Sequence, residues 1–136
     1  MTERIFRGKI KTDNGDYHKG EWVYGDLVNL QDGERKIPYI YGKGEIIPDS
    51  AGQYIGLPDK NGTLIFEGDI LEVFYNPHYI GISADRVGVF EVVFSGGCFM
   101  KRNPNKVGLF HFISTDECKV IGNVHDNPEL LKGGAE

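Results

Sequence analysis

No window of this chain repeats apolar residues at i, i+3, i+4 and i+7 for long enough to make a helix of three turns. That absence constrains the fold more than any motif does. What recurs instead are short runs of β-branched and aromatic residues cut by Gly, Asn, Asp and Pro, the pattern of strands joined by tight turns. Glycine supplies 19 of 136 residues, about twice its usual ~7% share. It follows no G-X-Y period, so the surplus goes into turns. The chain is expected to be all-β. Candidate strands are Arg4–Lys11, Glu21–Leu30, Ile37–Tyr41, Gly44–Ile47, Gln53–Leu57, Thr63–Phe66, Ile70–Tyr75, Gly88–Phe94, Cys98–Lys101, Leu109–Ile113 and Lys119–His125.

Turn chemistry supports these cuts. Asn14-Gly15, Asp32-Gly33 and Asn61-Gly62 are turn dipeptides, because Gly has no Cβ and Asn tolerates positive φ. Gly96-Gly97, set between Val92-Val93-Phe94 and Cys98-Phe99-Met100, reads as a hairpin. Asn76–Val87 mixes Pro, Gly and polar residues and reads as a long exposed loop. Near the end, Asn127 is cap-like, with Pro128 at the first helical position and Glu129 after it. One short helical turn is expected there, with Leu130 and Leu131 as its anchor.

Composition narrows the class. A chain of 136 residues with 40% apolar content suffices for one domain or two very small subdomains. Residues 1–62 carry nine Lys/Arg against ten Asp/Glu, and residues 63–136 six against ten, for a net charge of −5. Nothing in that balance resembles the cation clusters that hold duplex DNA. The N-terminus lacks the apolar stretch of a signal peptide, and no apolar run approaches the ~20 residues that span a bilayer. The reading is a cytoplasmic protein with no membrane segment. Cys98 and Cys118 form no CxxC and sit near no His at zinc spacing, so both read as small buried residues rather than ligands, with a disulfide left open.

Gln53–Val73 (QYIGLPDKNGTLIFEGDILEV) compresses three strand-like runs and two turns into one segment. Together with Val120–Leu131 (VIGNVHDNPELL) it resembles the YopX family, small proteins carried by bacteriophages and prophages. A weaker similarity runs through RGKIKTDNGDYHKGEWVYGDL near the start. The resemblance implies an SH3-like small barrel for the C-terminal part, and it brings no established activity with it. On this reading residues 1–62 form a glycine-rich antiparallel β segment and residues 63–136 the barrel. Gly56, Asn61, Gly62, Glu67, Gly68, Asp69, Gly122 and Asn123 are then the turn-forming residues of the shared motifs.

Several constellations invite a chemical reading. Glu67, Asp69 and Glu72, with Asp59 upstream, are the densest acidic group, suited in principle to acid–base work or a divalent cation. The competing and preferred reading is structural: Gly68 supplies a turn and Asp69 accepts from nearby backbone N–H groups. His18, His78, His111 and His125 fall on separate elements and read as structural or surface residues, with His111 half-buried opposite Phe110 and Phe112. No GxSxG, GxxxxGK[ST] or GxGxxG pattern occurs, and Tyr41-Gly42-Lys43-Gly44 reads as a turn. Lys101, Arg102 and Lys106 form a cationic loop flanked by Phe99, Phe110 and Phe112, a composition that small barrels use to hold single strands. Trp22, Tyr24, Tyr39 and Tyr41 either line a groove or fill the core.

The sequence therefore points to a non-enzymatic accessory protein without cofactors. Its expected role is binding a phage or host protein, or assembling with itself as a homodimer. Two alternatives compete: a nucleic-acid-binding regulator using Lys101–Lys106, and a small hydrolase or metal enzyme using Asp59, Glu67 and Asp69.

Overall fold

Backbone sterics assign the turns before packing does. The computed structural model describes residues 5–74, 88–105, 108–112, 115 and 117–133, and every positive-φ residue among them is a glycine. The expected Asn76–Val87 loop lies outside the described residues. Among the described residues the chain is mainly β, with antiparallel pairing and one short α-helix, so the all-β class holds. It divides into two compact units, Met1–Gly56 and Leu57–Glu136. The Pro58–Gly62 turn thus belongs to the second unit.

In the first unit β1 (Phe6–Lys9) pairs with β2 (Trp22–Gly25), and β3 (Leu27–Asp32) with β4 (Arg35–Ile40), which also pairs with the two-residue β5 (Gly44–Glu45). The single strand expected at Glu21–Leu30 is two strands. Gly25, at φ 152°, and Asp26 break it, much as Gly-Asp breaks the chain at residues 68–69. Ile10, Val23, Ile40 and Ile46 close a buried core, with Phe6, Tyr17, Leu27 and Ala51 packed against it. Each of the four fully buried side chains contributes about 1.5–3 kcal/mol by leaving water. Gly8 is required here because a Cβ at that position would run into the Ile46 side chain. A 3-10 turn at Pro48–Ser50 leads into β6 (Gly52–Pro58), whose first residues pair with β1. The buried Ser50 hydroxyl ties the turn down, accepting from Lys9 N–H at 2.8 Å and donating to the Ile47 carbonyl at 2.6 Å.

In the second unit β7 (Leu64–Phe66) precedes a five-stranded antiparallel sheet. Its strands are β8 (Asp69–Val73), β9 (Gly88–Ser95), β10 (Cys98–Arg102), β11 (Phe110–His111) and β12 (Cys118–Asn123). They lie in the order β11-β10-β9-β8-β12. Among the described residues no ladder closes this sheet into the barrel that the family resemblance implies. Ile70, Leu71, Phe90, Val92 and Cys118 are almost fully buried. Gly96 and Gly97, at φ 62° and 87°, make the β9–β10 hairpin. The helix α1 (Glu129–Gly133) stands where Pro128 and Glu129 indicate, with Leu130 and Leu131 half-buried.

Candidate functional site

Two acidic residues of the second unit, Asp59 and Asp69, are spent on backbone. Asp59, only 6% exposed, stands at the turn between β6 and β7. One carboxylate oxygen, Oδ1, accepts from Asn61 N–H at 2.8 Å and Thr63 N–H at 2.9 Å, while Oδ2 accepts from Val120 N–H on β12 at 2.9 Å. Backbone bonds from Asp59 N–H to Thr63 C=O and from Lys60 N–H to Cys118 C=O complete the clasp. Burial opposes the charge on Asp59 and is the largest single influence. The three amide donors (Val120, Asn61, Thr63), with the Lys119 charge, outweigh it and hold the carboxyl below its ordinary range. Both oxygens being engaged, Asp59 is a brace rather than a base. The turn also differs from the expected one. Only Gly62, at φ 86°, is left-handed, and Asn61 is not, because the Asp59 side chain shapes the loop.

Asp69 is more deeply buried, at 1% exposure, and its Oδ2 accepts from Phe66 N–H at 2.8 Å. Gly68 sits at φ 91° between them, donating to Val92 C=O and accepting from Val124 N–H. That backbone links the middle of β9 and the residue after β12 to the turn. Glu67 is half-buried beside it, and Gly56, at φ 98°, lies within β6. Among the described residues no three His, Cys, Asp or Glu side chains converge as metal ligands.

Gly122 and Asn123 anchor the helix. Asn123 Oδ1 accepts from His125 and Asp126 N–H groups, and Asn127 N–H donates to Asn123 C=O at 2.8 Å. A Cβ on Gly122 would lie 2.6 Å from Asn127 Oδ1 and 2.9 Å from Leu130 Cδ1, so this close approach needs glycine. The register of β12 against β8 shifts at the same place, between Val120 and Gly122.

The cationic loop is rearranged by the structure. Lys101 and Arg102 belong to β10 rather than to a loop. Lys101 is buried, its ammonium 5.3 Å from the centroids of both Phe90 and Phe112. Arg102 pairs with Glu91 at 2.6 Å. Lys106 lies outside the described residues. The phosphate-binding reading asks for open cations, and the two described here are committed to rings and a carboxylate. His111 is exposed, correcting its expected half-burial, since Phe110 takes the inward position on β11 and stacks edge-on against Phe90 at 5.9 Å. His18 and His125 are exposed as well, and His78 lies outside the described residues. Cys118 is buried as expected, but Cys98 is exposed at the start of β10.

The aromatic set separates into two groups within the first unit. Trp22 and Tyr24 share a face with Lys9 and Arg7 in the β1–β2 register, with the Arg7 guanidinium 4.7 Å and the Lys9 ammonium 5.4 Å from the indole centroid. Tyr39 and Tyr41 instead lie with Val28 and Leu30 on the β3–β4 hairpin. These side chains line a cleft of about 580 Å³ whose walls include Asn14 and Lys43. Asn14 fastens the wall by donating from Nδ2 to Lys43 C=O at 2.9 Å. Tyr41 is 74% exposed and Leu30 49%. A sequence reading lists the tyrosines but misses Val28 and Leu30, because they are merged into one long strand with β2. The Gly25-Asp26 pair was the available signal.

A family profile described as YopX protein matches residues 6–132, nearly the whole described chain. The chain belongs to the YopX protein family. The two segments that carry the resemblance in this YopX chain, Gln53–Val73 and Val120–Leu131, hold Asp59, Gly68 and Asp69 in one and Gly122 and Asn123 in the other. No functionally curated protein matches it. Among solved structures it is similar to protein EF1440 from Enterococcus faecalis, at 22% identity and a TM-score of 0.49, covering 96% of this chain and 99% of that one.

Proposed function

We propose that this YopX-family chain is a non-catalytic accessory protein of phage or prophage origin, acting in the host cytoplasm by binding another protein or a second copy of itself. The observation that carries this reading is the contrast in side-chain use. Asp59 and Asp69, the best candidates for chemistry, are buried against backbone amides, whereas Leu30 and Tyr41 stand open beside a cleft. Large apolar side chains clustered at the surface are an interaction signal in a way that scattered ones are not. The Lys101 and Arg102 geometry favours no nucleic-acid role, so oligonucleotide binding at physiological salt is expected to be unmeasurable.

The test is affinity capture from host cells with mass-spectrometric identification, alongside light scattering across a concentration series. A specific partner, or a particle heavier than 15.2 kDa that grows with concentration, is the expected result. A 15.2 kDa particle at every concentration with no captured partner would remove the reading.

A further inference from the structure

We infer that the outer edge of β3 is a strand-addition site, taking an extended segment of a partner protein with apolar side chains at alternate positions and a cation at its end. The inference rests on the interaction reading above and names its place and chemistry. It begins with hydrogen-bond parity. Tyr41 N–H donates to Asp26 C=O at 2.8 Å, which makes 26 and 41 a hydrogen-bonded pair of the hairpin. Alternation along an antiparallel ladder then directs the N–H and C=O of Leu27, Asn29 and Gln31 away from β4. Pro38 agrees with that parity: it stands opposite Asn29, where β3 asks for no N–H, and its carbonyl accepts instead from Ile46 N–H.

The order of this sheet is β3-β4-β5, so β3 is its edge, and residues 29–32 are exposed. A row of outward amides and carbonyls is complementary to one kind of occupant, an extended polypeptide backbone. Side chains define the rest. Val28 and Leu30 share a face with Tyr39 and Ile37 by register, and the cleft opens on that face, giving pockets for alternate apolar residues. Asn29 and Gln31 occupy the other face, calling for polar residues there. Asp26 and Asp32, both exposed, bracket the strand, and neither has an ion-pair partner among the described residues. A Lys or Arg at the end of the incoming segment meets that charge.

The decisive variant is Asn29→Pro. At an edge position whose N–H points outward, proline costs the hairpin no hydrogen bond, while it deletes a central donor and obstructs an added strand. The probe is an array of peptides of pattern Lys-x-φ-x-φ-x-Lys, with x Thr or Ser and φ Val, Leu, Tyr or Phe, against same-composition peptides with adjacent φ residues and against Asp-flanked ones. Alternating Lys-flanked peptides are expected to bind the intact chain, with amide shifts at Leu27, Asn29 and Gln31. Asn29→Pro should weaken them tenfold or more with an unchanged circular dichroism spectrum, and Asp26→Asn by a few-fold. No binding, equal binding to the scrambled peptides, or undiminished binding by a folded Asn29→Pro chain would overturn the inference. A dimer of the intact chain that Asn29→Pro dissociates would also overturn it, assigning the edge to a second copy. A partner captured equally by both chains would sink the β3 site and leave the interaction reading standing; failure of capture and of self-association sinks the reading itself.

Discussion

Among the described residues the two units of this chain spend carboxylates in opposite ways. In the first, the core is Ile10, Val23, Ile40 and Ile46, and polar and aromatic groups are left at the surface of the β3–β4 hairpin. In the second, carboxylates go inside: Asp59 and Asp69 are buried and each replaces a missing backbone partner in a turn. A buried carboxylate is tolerated only where donors repay its lost hydration, so such residues fix one geometry and forbid others. The lesson is that the buried carboxylates stand where the backbone is hardest to satisfy, in a different unit from the β3–β4 hairpin proposed above as an interaction surface.

The largest expected effect is at Asp59. Replacing it with Ala strands three amide donors, and a loss on the order of 3 kcal/mol in denaturant unfolding is expected. Asp59→Asn keeps the shape but turns an amide NH2 donor toward the N–H of either Val120 or the Asn61/Thr63 pair, and should fall between. If both variants unfold like the parent chain, the contrast between the units fails. The same carboxyl gives a pH signature. Its folded-state pKa lies below the ordinary 3.8, so its contribution is complete above that value and is lost as pH falls below it toward the folded pKa. Acid titration should therefore show a stability loss below pH 3.8 that is smaller in Asp59→Asn.

Gly122→Ala comes next, at about 1–3 kcal/mol, because the new methyl overlaps Asn127 and Leu130. The helical signal in circular dichroism should weaken with it. Gly68→Ala should cost about 1 kcal/mol or more, since alanine is strained at φ 91°. The smallest effect sharpens the comparison from the other side. Tyr41→Ala and Leu30→Ser on the open hairpin should stay within about 0.5 kcal/mol of the parent. A cost above 1.5 kcal/mol would mean that this face is core, and its availability to a partner would be lost.

Strand content and turns were legible because they are local. Gly96-Gly97, Asp32-Gly33 and the Asn127-Pro128-Glu129 cap each declare themselves within four residues, and the structure puts hairpins and a short helix there. Long-range pairing left no such mark. That Asp59 reaches Val120 depends on β12 arriving beside the turn, and this one of the carboxylate's three partners is 61 positions away in the chain. Lys101 failed as an open cation for the same reason: whether a lysine on a strand faces solvent or two phenylalanine rings is decided by the neighbouring strands. The split of Glu21–Leu30 is marked only by Gly25-Asp26, with strand-forming residues on both sides of the pair.

The two thiols offer a clock. Cys98 lies on the surface, open to an alkylating reagent, while Cys118 is buried beside the turn whose Lys60 N–H holds its carbonyl. With Cys98→Ser removing the accessible thiol, alkylation at Cys118 requires the β12 seam to open, so its rate, read from mass spectra, follows the open population of the second unit and becomes the opening rate where labelling outpaces reclosing.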